Sequence, residues 1–286
     1  MSTLTNLQPL ESYTHSSYDA SKNHLKELWF KCHSQGFSYA IFDGHLKQVE
    51  MYFNFEVADF YQVSPQTFHG FLDAIDVFIN DFKSVKIIFE SQTYTLMPAA
   101  LFNEEDSAAC YGLKYTLSEN EHLLNQRIPD FGAQIIYAVP RFMLNALLSK
   151  FTDSSLREQV KIYHHAFALL SALYYQTYHL NKEVCYLNIS EKTFDVVLIK
   201  NSSLHFCNTY VYNNPEDVLY FVMHAYQNSQ LQPEANECFY SGFHTNEKNI
   251  RELLNSYIKS VKTIQLCQMP SVVVNPSTLF LLQHCA

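Results

Sequence analysis

The chain has 286 residues, of which 48% are hydrophobic and 16% charged, a composition that indicates a globular protein and excludes an intrinsically disordered one. The formal net charge is −9, and the 19 basic residues are scattered along the sequence. Because nucleic-acid binding needs clustered Lys and Arg, this pattern predicts no nucleic-acid partner.

The cysteines and the hydropathy pattern indicate the compartment. Seven cysteines form no Cys-x-x-Cys pair, and the first twenty residues lack the apolar stretch of a secretion signal. No apolar run approaches the roughly 20 residues that a membrane helix requires. We therefore expect a cytoplasmic protein with buried free thiols and no membrane contact.

The first half of the chain opens with a polar segment followed by three strands. Residues 1–23 are rich in Ser, Thr, Asn and Tyr without periodicity, which predicts a flexible N-terminal arm. Strands are predicted over 25–32, 37–42 and 46–55. Asp43-Gly44 predicts a tight hairpin turn between the last two, because glycine tolerates the positive φ of a type I′ turn.

A helix and further strands complete the first half. Ser64-Pro65 supplies a cap and a first-turn proline for a helix whose apolar stripe runs to Ile79. The polar stretch 103–127 is predicted to be irregular. The remaining predicted elements are strands over 84–90, 93–97 and 133–139 and a short helix over 142–150.

The second half begins with a helix predicted from about 156 to 179. Its middle is apolar nearly all round, which predicts burial between two layers. A second run of three strands follows over 183–211. The later predicted elements are a helix capped by Asn214, a strand over 237–241, a helix capped by Thr245 or Asn246, and a final strand over 263–267.

The three-strand pattern of 25–55 recurs at 183–211, and helices follow each copy. This duplication predicts an α/β protein with two similar lobes facing a cleft, each lobe a mixed sheet flanked by helices. We expect lobe I over 24–155 and lobe II over 156–286.

Five short motifs, in this order and spacing, resemble a Bacteroidota family catalogued as domain of unknown function 3822. They are Gly36–Asp43 (GFSYAIFD), Pro98–Phe102 (PAALF), Phe206–Tyr210 (FCNTY), Glu216–Phe221 (EDVLYF) and Ser241–Phe243 (SGF). The resemblance covers roughly residues 24–265. It implies the two-lobed actin-like ATPase fold, which is ribonuclease-H-like, and no established activity.

The resemblance also implies where a nucleotide would bind and what is missing there. Actin-like ATPases hold Mg-nucleotide with one Asp-x-Gly turn in each lobe, since glycine admits phosphate to the backbone and the carboxylate holds Mg²⁺. Ser34 stands at the position of the first aspartate, and Gly36 is retained. Asn188 and Ser190 replace the second pair, and the adenosine turn keeps only Gly242, followed by the bulky Phe243. These positions would form a vestigial nucleotide cleft.

Three other sets of residues are candidate sites. Asp43 and Asp195 could be paired acids of a nuclease, although Asp43 reads as a turn residue. His164-His165 is an adjacent pair whose side chains would point about 100° apart on a helix and could not share one metal. Thr209 lies in Asn208-Thr209-Tyr210, which is either a polar contact in the cleft or an ordinary strand end.

No phosphate-binding P-loop, nucleophile elbow or dinucleotide fingerprint occurs, and the chain has only 6 glycines. The sequence therefore predicts no catalytic residue, no metal ligand and no cofactor. We expect a nonenzymatic scaffold or adaptor that binds another protein, and leave the partner and the oligomeric state open. The alternative is a divergent ATPase or switch that binds ATP with Mg²⁺.

Overall fold

A computed structural model describes residues 7–75, 82–151, 159–177, 183–242, 247–268, 270, 273 and 278–285. The strands are β1 Glu11–Thr14, β2 Glu27–His33, β3 Gly36–Asp43, β4 Gln48–Glu56, β5 Ser84–Phe89, β6 Tyr94–Pro98, β7 Glu121–Ile128, β8 Ala133–Pro140, β9 Val160–His164, β10 Glu183–Ile189, β11 Thr193–Lys200, β12 Ser203–Val211, β13 Glu237–Gly242 and β14 Ser260–Thr263. The α-helices are α1 Pro65–Ala74, α2 Ser107–Gly112, α3 Arg141–Ser149, α4 His165–Thr177, α5 Pro215–Asn228 and α6 Glu247–Asn255. In this part of the chain, no helix combines the length and apolarity needed to cross a bilayer.

The strands form two mixed sheets of the same design and one small sheet. The first has the order β1-β4-β3-β2-β5-β9 and the second the order β12-β11-β10-β13-β14. In the first sheet, β2, β3 and β4 are antiparallel, and β5 and β9 extend the sheet from β2 as parallel strands. In the second sheet, β10, β11 and β12 are antiparallel, and β13 and β14 extend the sheet from β10 as parallel strands. The repeated three-strand pattern of the sequence is confirmed. We call the part built on the first sheet lobe I and the part built on the second sheet lobe II.

The small sheet belongs to lobe I and corrects one prediction. It has the order β6-β8-β7 and is antiparallel throughout. The stretch 103–127, predicted to be irregular, contains helix α2 and most of β7. The sequence signal was weak because β7 is buried on neither face along most of its length, so apolar and polar residues do not alternate clearly.

Helix α4 is buried, as its apolar sequence predicts, in a core to which both large sheets contribute. Its residues from Ala166 to Leu173 are almost all buried, and the core around them includes Leu28 of lobe I and Val184 of lobe II. The prediction that this helix starts near 156 is wrong, because Val160–His164 is strand β9, paired in parallel with β5. Residues 152–158 lie outside the described part.

Two other predicted boundaries differ from the structure. The connection after Asp43 has four residues, and Lys47, not Gly44, takes the positive φ of 51°. The Asp43 carboxylate accepts hydrogen bonds from the amides of His45 and Leu46, which stabilises this longer turn. At the other end of the chain, β14 finishes at Thr263, where the last strand was predicted to begin.

Part of the predicted N-terminal arm is a strand. Glu11–Thr14 pairs with β4, and the segment after it is held by Lys26. Lys26 Nζ lies 2.6 Å from Glu50 Oε2, with both side chains 4% exposed, and it donates to the carbonyl of Asp19 at 3.0 Å. This buried ion pair therefore fixes the start of the chain to lobe I. The predicted limits of the arm and lobes at 23 and 155 stay predictions.

The end of the chain is fixed to lobe I in a similar way. The 3₁₀ helix Thr278–His284 packs on α4, and Lys86 donates to the carbonyl of Cys285 at 2.7 Å. The Lys86 ammonium also lies 3.0 Å from the carboxylate of Glu27. A cation at the C-terminal end of a helix stabilises its unpaired carbonyls.

We predict that Lys26→Met lowers the free energy of unfolding by about 3–5 kcal/mol, because it leaves the Glu50 carboxylate buried without its counter-ion. Urea denaturation measures this loss, and hydrogen exchange of the β1 amides should rise with it. The matched control is Lys22→Met, since the Lys22–Asp19 pair is 3.7 Å long and 65% and 44% exposed. That change should cost less than about 1 kcal/mol. Equal losses in the two variants would contradict a structural role for the buried pair.

Candidate functional site

The first turns of the two three-strand repeats face each other across a cavity of about 440 Å³. Lobe I contributes Ser34 and Gln35 between β2 and β3, and lobe II contributes Ser190 and Glu191 between β10 and β11. We call this space the interlobe cavity. Two of the predicted site residues, Ser34 and Ser190, thus lie on its opposite walls.

The other predicted site residues lie elsewhere. Asn188 and Gly242 line a second, mainly apolar cavity of about 180 Å³, together with Ser241 and the segment after β14. Gly36 lines neither of these cavities. Phe243 lies outside the described residues. The structure therefore divides four of the five predicted positions between two cavities and leaves Gly36 outside both.

Both retained glycines are required by the packing of the chain itself. Gly36 has φ +141°, and a Cβ there would lie 2.0 Å from the carbonyl oxygen of Phe55 on β4. Gly242 has φ +97°, and a Cβ there would lie 2.0 Å from the carbonyl oxygen of Ile189 on β10. Any larger residue would push the strands apart, so each glycine is explained without a bound phosphate.

On the lobe I side, an ion pair forms the floor of the interlobe cavity. Lys31 on β2 lies 2.6 Å from the Glu90 carboxylate, which follows β5. Burial alone would raise the pKa of Glu90, but Lys31 and two nearby histidines lower that pKa to about 2. Burial and the Lys31 charge also lower the pKa of His33 to about 4. At neutral pH this floor holds a compensated ion pair and a neutral imidazole.

On the lobe II side, Asp195 on β11 is the residue paired with Asn188 on β10 in the sheet register. Asn188 Nδ2 donates to Asp195 Oδ2 at 3.0 Å. Asp195 Oδ1 accepts from the Thr209 hydroxyl at 2.6 Å and lies 3.1 Å from His165 Nε2. Both oxygens of this buried carboxylate are thereby engaged by protein groups.

This hydrogen-bonded network crosses from lobe II to lobe I. The Tyr94 hydroxyl on β6 lies 3.3 Å from Thr209 Oγ1, and His165 stands at the first position of α4. On the other side, the Ser241 hydroxyl donates to Asn188 Oδ1 at 3.2 Å. Of the two readings of Thr209, the polar contact is the one that the structure shows.

The adjacent histidines are both buried, and the prediction that they lie together on a helix is wrong: His164 ends strand β9, His165 begins α4, and their ring centroids are 4.3 Å apart. The His164 ring accepts at Nδ1 from the amide of Ala166 and donates from Nε2 to the carbonyl of Ser91 at 3.0 Å. Burial, and then the neighbouring His165, hold the pKa of His164 well below its ordinary value. His164 is therefore a neutral core histidine.

These contacts limit what the site can do chemically. Within the described ranges, no three His, Cys, Asp or Glu side chains come together as a metal site. Asp43 caps its own turn in lobe I while Asp195 is bound inside lobe II, so the paired acids of a nuclease are not formed. The sequence missed the roles of Lys31, Glu90 and Tyr94, since each depends on a partner far away along the chain.

A family model described as "Protein of unknown function (DUF3822)" matches residues 15–261. The chain belongs to this family. No curated protein matches the chain in sequence. The resemblance drawn from the sequence motifs is confirmed.

Solved structures show the fold. A Bacteroides thetaiotaomicron VPI-5482 protein with actin-like ATPase fold and unknown function is 17% identical, with 95% of this chain and 100% of that chain covered and a TM-score of 0.82. The PilM-PilN type IV pilus biogenesis complex is 8% identical, with coverages of 85% and 89% and a TM-score of 0.54. This DUF3822 chain has the actin-like ATPase fold, as predicted.

We predict that Asn188→Asp destabilises the protein by about 2 kcal/mol at pH 7, because it sets a second carboxylate against that of Asp195 in a poorly solvated position. The repulsion raises the pKa of the new carboxyl above its unfolded value. The loss is therefore complete above that raised folded-state pKa and disappears as the pH falls to about 4. Urea denaturation at several pH values measures it.

The matched control is Asn208→Asp on the neighbouring strand β12. Asn208 Oδ1 accepts from Lys114 Nζ at 3.4 Å, so a carboxylate there gains a favourable charge contact. We expect a change within about 0.5 kcal/mol. Similar pH-dependent losses in both variants would refute the assignment of the Asn188–Asp195 contact.

Proposed function

We propose that the protein is a nonenzymatic scaffold or adaptor that binds a segment of another protein at the cleft between its lobes. One observation carries the proposal. Glu90 in the cavity floor and Asp195 opposite Asn188 in the sheet are both engaged by protein groups. These contacts compete for the carboxylate oxygens that Mg²⁺ or its water ligands would need in the ATPase chemistry of this fold.

The backbone of the lobe II turn supports the same proposal. The amide and the hydroxyl of Ser190 both donate to the carbonyl of Thr193, at 2.8 and 3.0 Å. A phosphate-binding turn instead presents its amides to the ligand. Ser190 therefore stabilises its own hairpin with the groups that a phosphate would require.

The charges of the interlobe cavity also favour a protein ligand. Its lining includes Glu56, Glu90 and Glu191 against Lys31 and Lys192, so it has no excess of positive charge. A triphosphate needs cationic groups or oriented amides for compensation. A polypeptide ligand does not need cationic groups in its binding site. The similar chain in the PilM-PilN type IV pilus biogenesis complex belongs to a protein assembly, and this fold-level analogy agrees with protein binding.

The state of the cysteines supports a cytoplasmic location. All seven are free thiols, and four are buried, including Cys32, Cys185 and Cys238. Burial raises the pKa of the Cys267 and Cys285 thiols to about 12, which keeps them protonated and unreactive. Such thiols are typical of proteins from reducing compartments.

A divergent nucleotide-binding switch is the second candidate. The observation that favours it is the 180 Å³ cavity beside the Ser241-Gly242 turn, which the resemblance assigns to adenosine. The Thr278 hydroxyl in its wall is buried and has no hydrogen-bond partner among the described residues. A base could bind there even if the phosphates were poorly held.

We predict that calorimetric titration with Mg-ATP and with Mg-ADP gives no saturable heat and no rise in melting temperature at millimolar ligand. A nucleotide-binding actin-like ATPase serves as the positive control. A ligand at 100 times its Kd would add about 2.7 kcal/mol of stability, which thermal denaturation detects easily. Saturable micromolar binding would refute the scaffold proposal and favour the switch.

A further inference from the structure

The interlobe cavity continues into a third cavity, which lies wholly in lobe I and which we call the lobe I cavity. The lobe I cavity has a volume of about 690 Å³ and shares Ser34 and Glu90 with the interlobe cavity. Its walls are the segment 61–65, the connection from β5 to β6 and the junction of β8 with α3. We call the two joined cavities the groove.

The groove is held open by contacts within lobe I. The Tyr61 hydroxyl lies 2.8 Å from the carbonyl of Cys32 and 2.9 Å from that of Glu90, and it can donate to either. Phe142 packs edge-to-face on Phe68 with ring centroids 5.9 Å apart. Because these contacts tie three segments together without any ligand, a bound partner would meet a preformed surface.

The lobe I part of the groove is mainly apolar. Its exposed or half-buried apolar lining includes Val63, Pro65, Pro140 and Phe142, with the buried Phe89, Ala138 and Val139 beneath. Pro65 is exposed and Val63 is half-buried, so this surface is in contact with solvent. Apolar side chains of a ligand would gain free energy by covering it.

The charges along the groove are predominantly negative. Four carboxylates line it, those of Glu56, Glu90, Glu121 and Glu191, against the ammonium groups of Lys31 and Lys192. Lys31 compensates Glu90. Glu56 in the interlobe cavity and Glu121 in the lobe I cavity form no ion pair with any described residue.

The Glu121 carboxylate is held in place by the amide of Ser118, which donates to Oε2 at 2.9 Å. Arg141 donates to the carbonyl oxygen of Glu121 at 2.9 Å and not to its carboxylate. The carboxylate is thus fixed but keeps hydrogen-bonding capacity for a further donor.

We propose that the groove binds a linear segment of a partner protein in which Lys or Arg residues accompany apolar residues. This inference rests on the proposed function and names the chemistry of its partner. The cations meet Glu56 and Glu121, one in each cavity, and the apolar side chains cover the lobe I lining. An acidic segment or a polyphosphate would meet carboxylates of like charge instead.

The test is selection of random linear 12-residue peptides on the full chain, followed by affinity measurement of the selected peptides. We expect enrichment in Lys or Arg together with apolar residues, and affinity that falls as salt is raised. Glu56→Gln and Glu121→Gln should each weaken binding about two- to five-fold, the effect of one exposed ion pair. The control is Glu119→Gln, an exposed residue that lines neither cavity and should change nothing.

A fourth variant, Ser34→Arg, places bulk and positive charge where the two cavities meet. Ser34 is exposed, so the fold should tolerate the change, and binding should fall more than ten-fold. Thermal denaturation verifies that all variants remain folded. Acidic selected peptides, binding indifferent to these variants, or no selected peptide at all would overturn the inference. The Mg-ATP titration separately decides the proposed function, so the two failures are distinguishable.

Discussion

Burial of helix α4 on both sides is the constraint on which the rest of the structure depends. A helix that is apolar all round has to be covered on every face, and here both mixed sheets and the 3₁₀ helix Thr278–His284 contribute to the core around it. The two lobes therefore share one hydrophobic core. The first residue of the helix, His165, is carried to the lobe interface, where it meets Asp195. The position of the helix thus also fixes the polar network beneath the cleft.

That network explains how a carboxylate can be buried near the lobe II turn. Burying a charge is unfavourable unless hydrogen bonds replace its water shell, and Asp195 receives them from Thr209, Asn188 and His165. Each of these bonds directs the carboxylate into the protein.

The sequence predicted what depends on local pattern and missed what depends on register. Alternating apolar residues and short turns were sufficient for the two three-strand repeats, and the all-round apolar run was sufficient for α4. Strand β9 was missed because it leads directly into α4, and a short apolar segment has no signal that separates strand from helix. The motif order placed Ser34 and Ser190 on one cavity. The Lys31–Glu90 and His165–Asp195 pairs could not be predicted, because each joins strands or helices whose alignment only the folded sheets define.

The Lys31–Glu90 pair has a consequence beyond the interlobe cavity, because Glu90 lies where the two cavities meet. Without Lys31, the Glu90 carboxylate would carry an uncompensated negative charge at this point, and any ligand that crosses it would need a positive charge there. With Lys31 2.6 Å away, the junction is close to neutral, and Glu56 and Glu121 lie on either side of it. A ligand that spans both cavities then needs its positive charges apart from each other, with a neutral section between. A linear polypeptide meets that requirement readily, whereas a nucleotide, with its charge concentrated in one phosphate chain, does not.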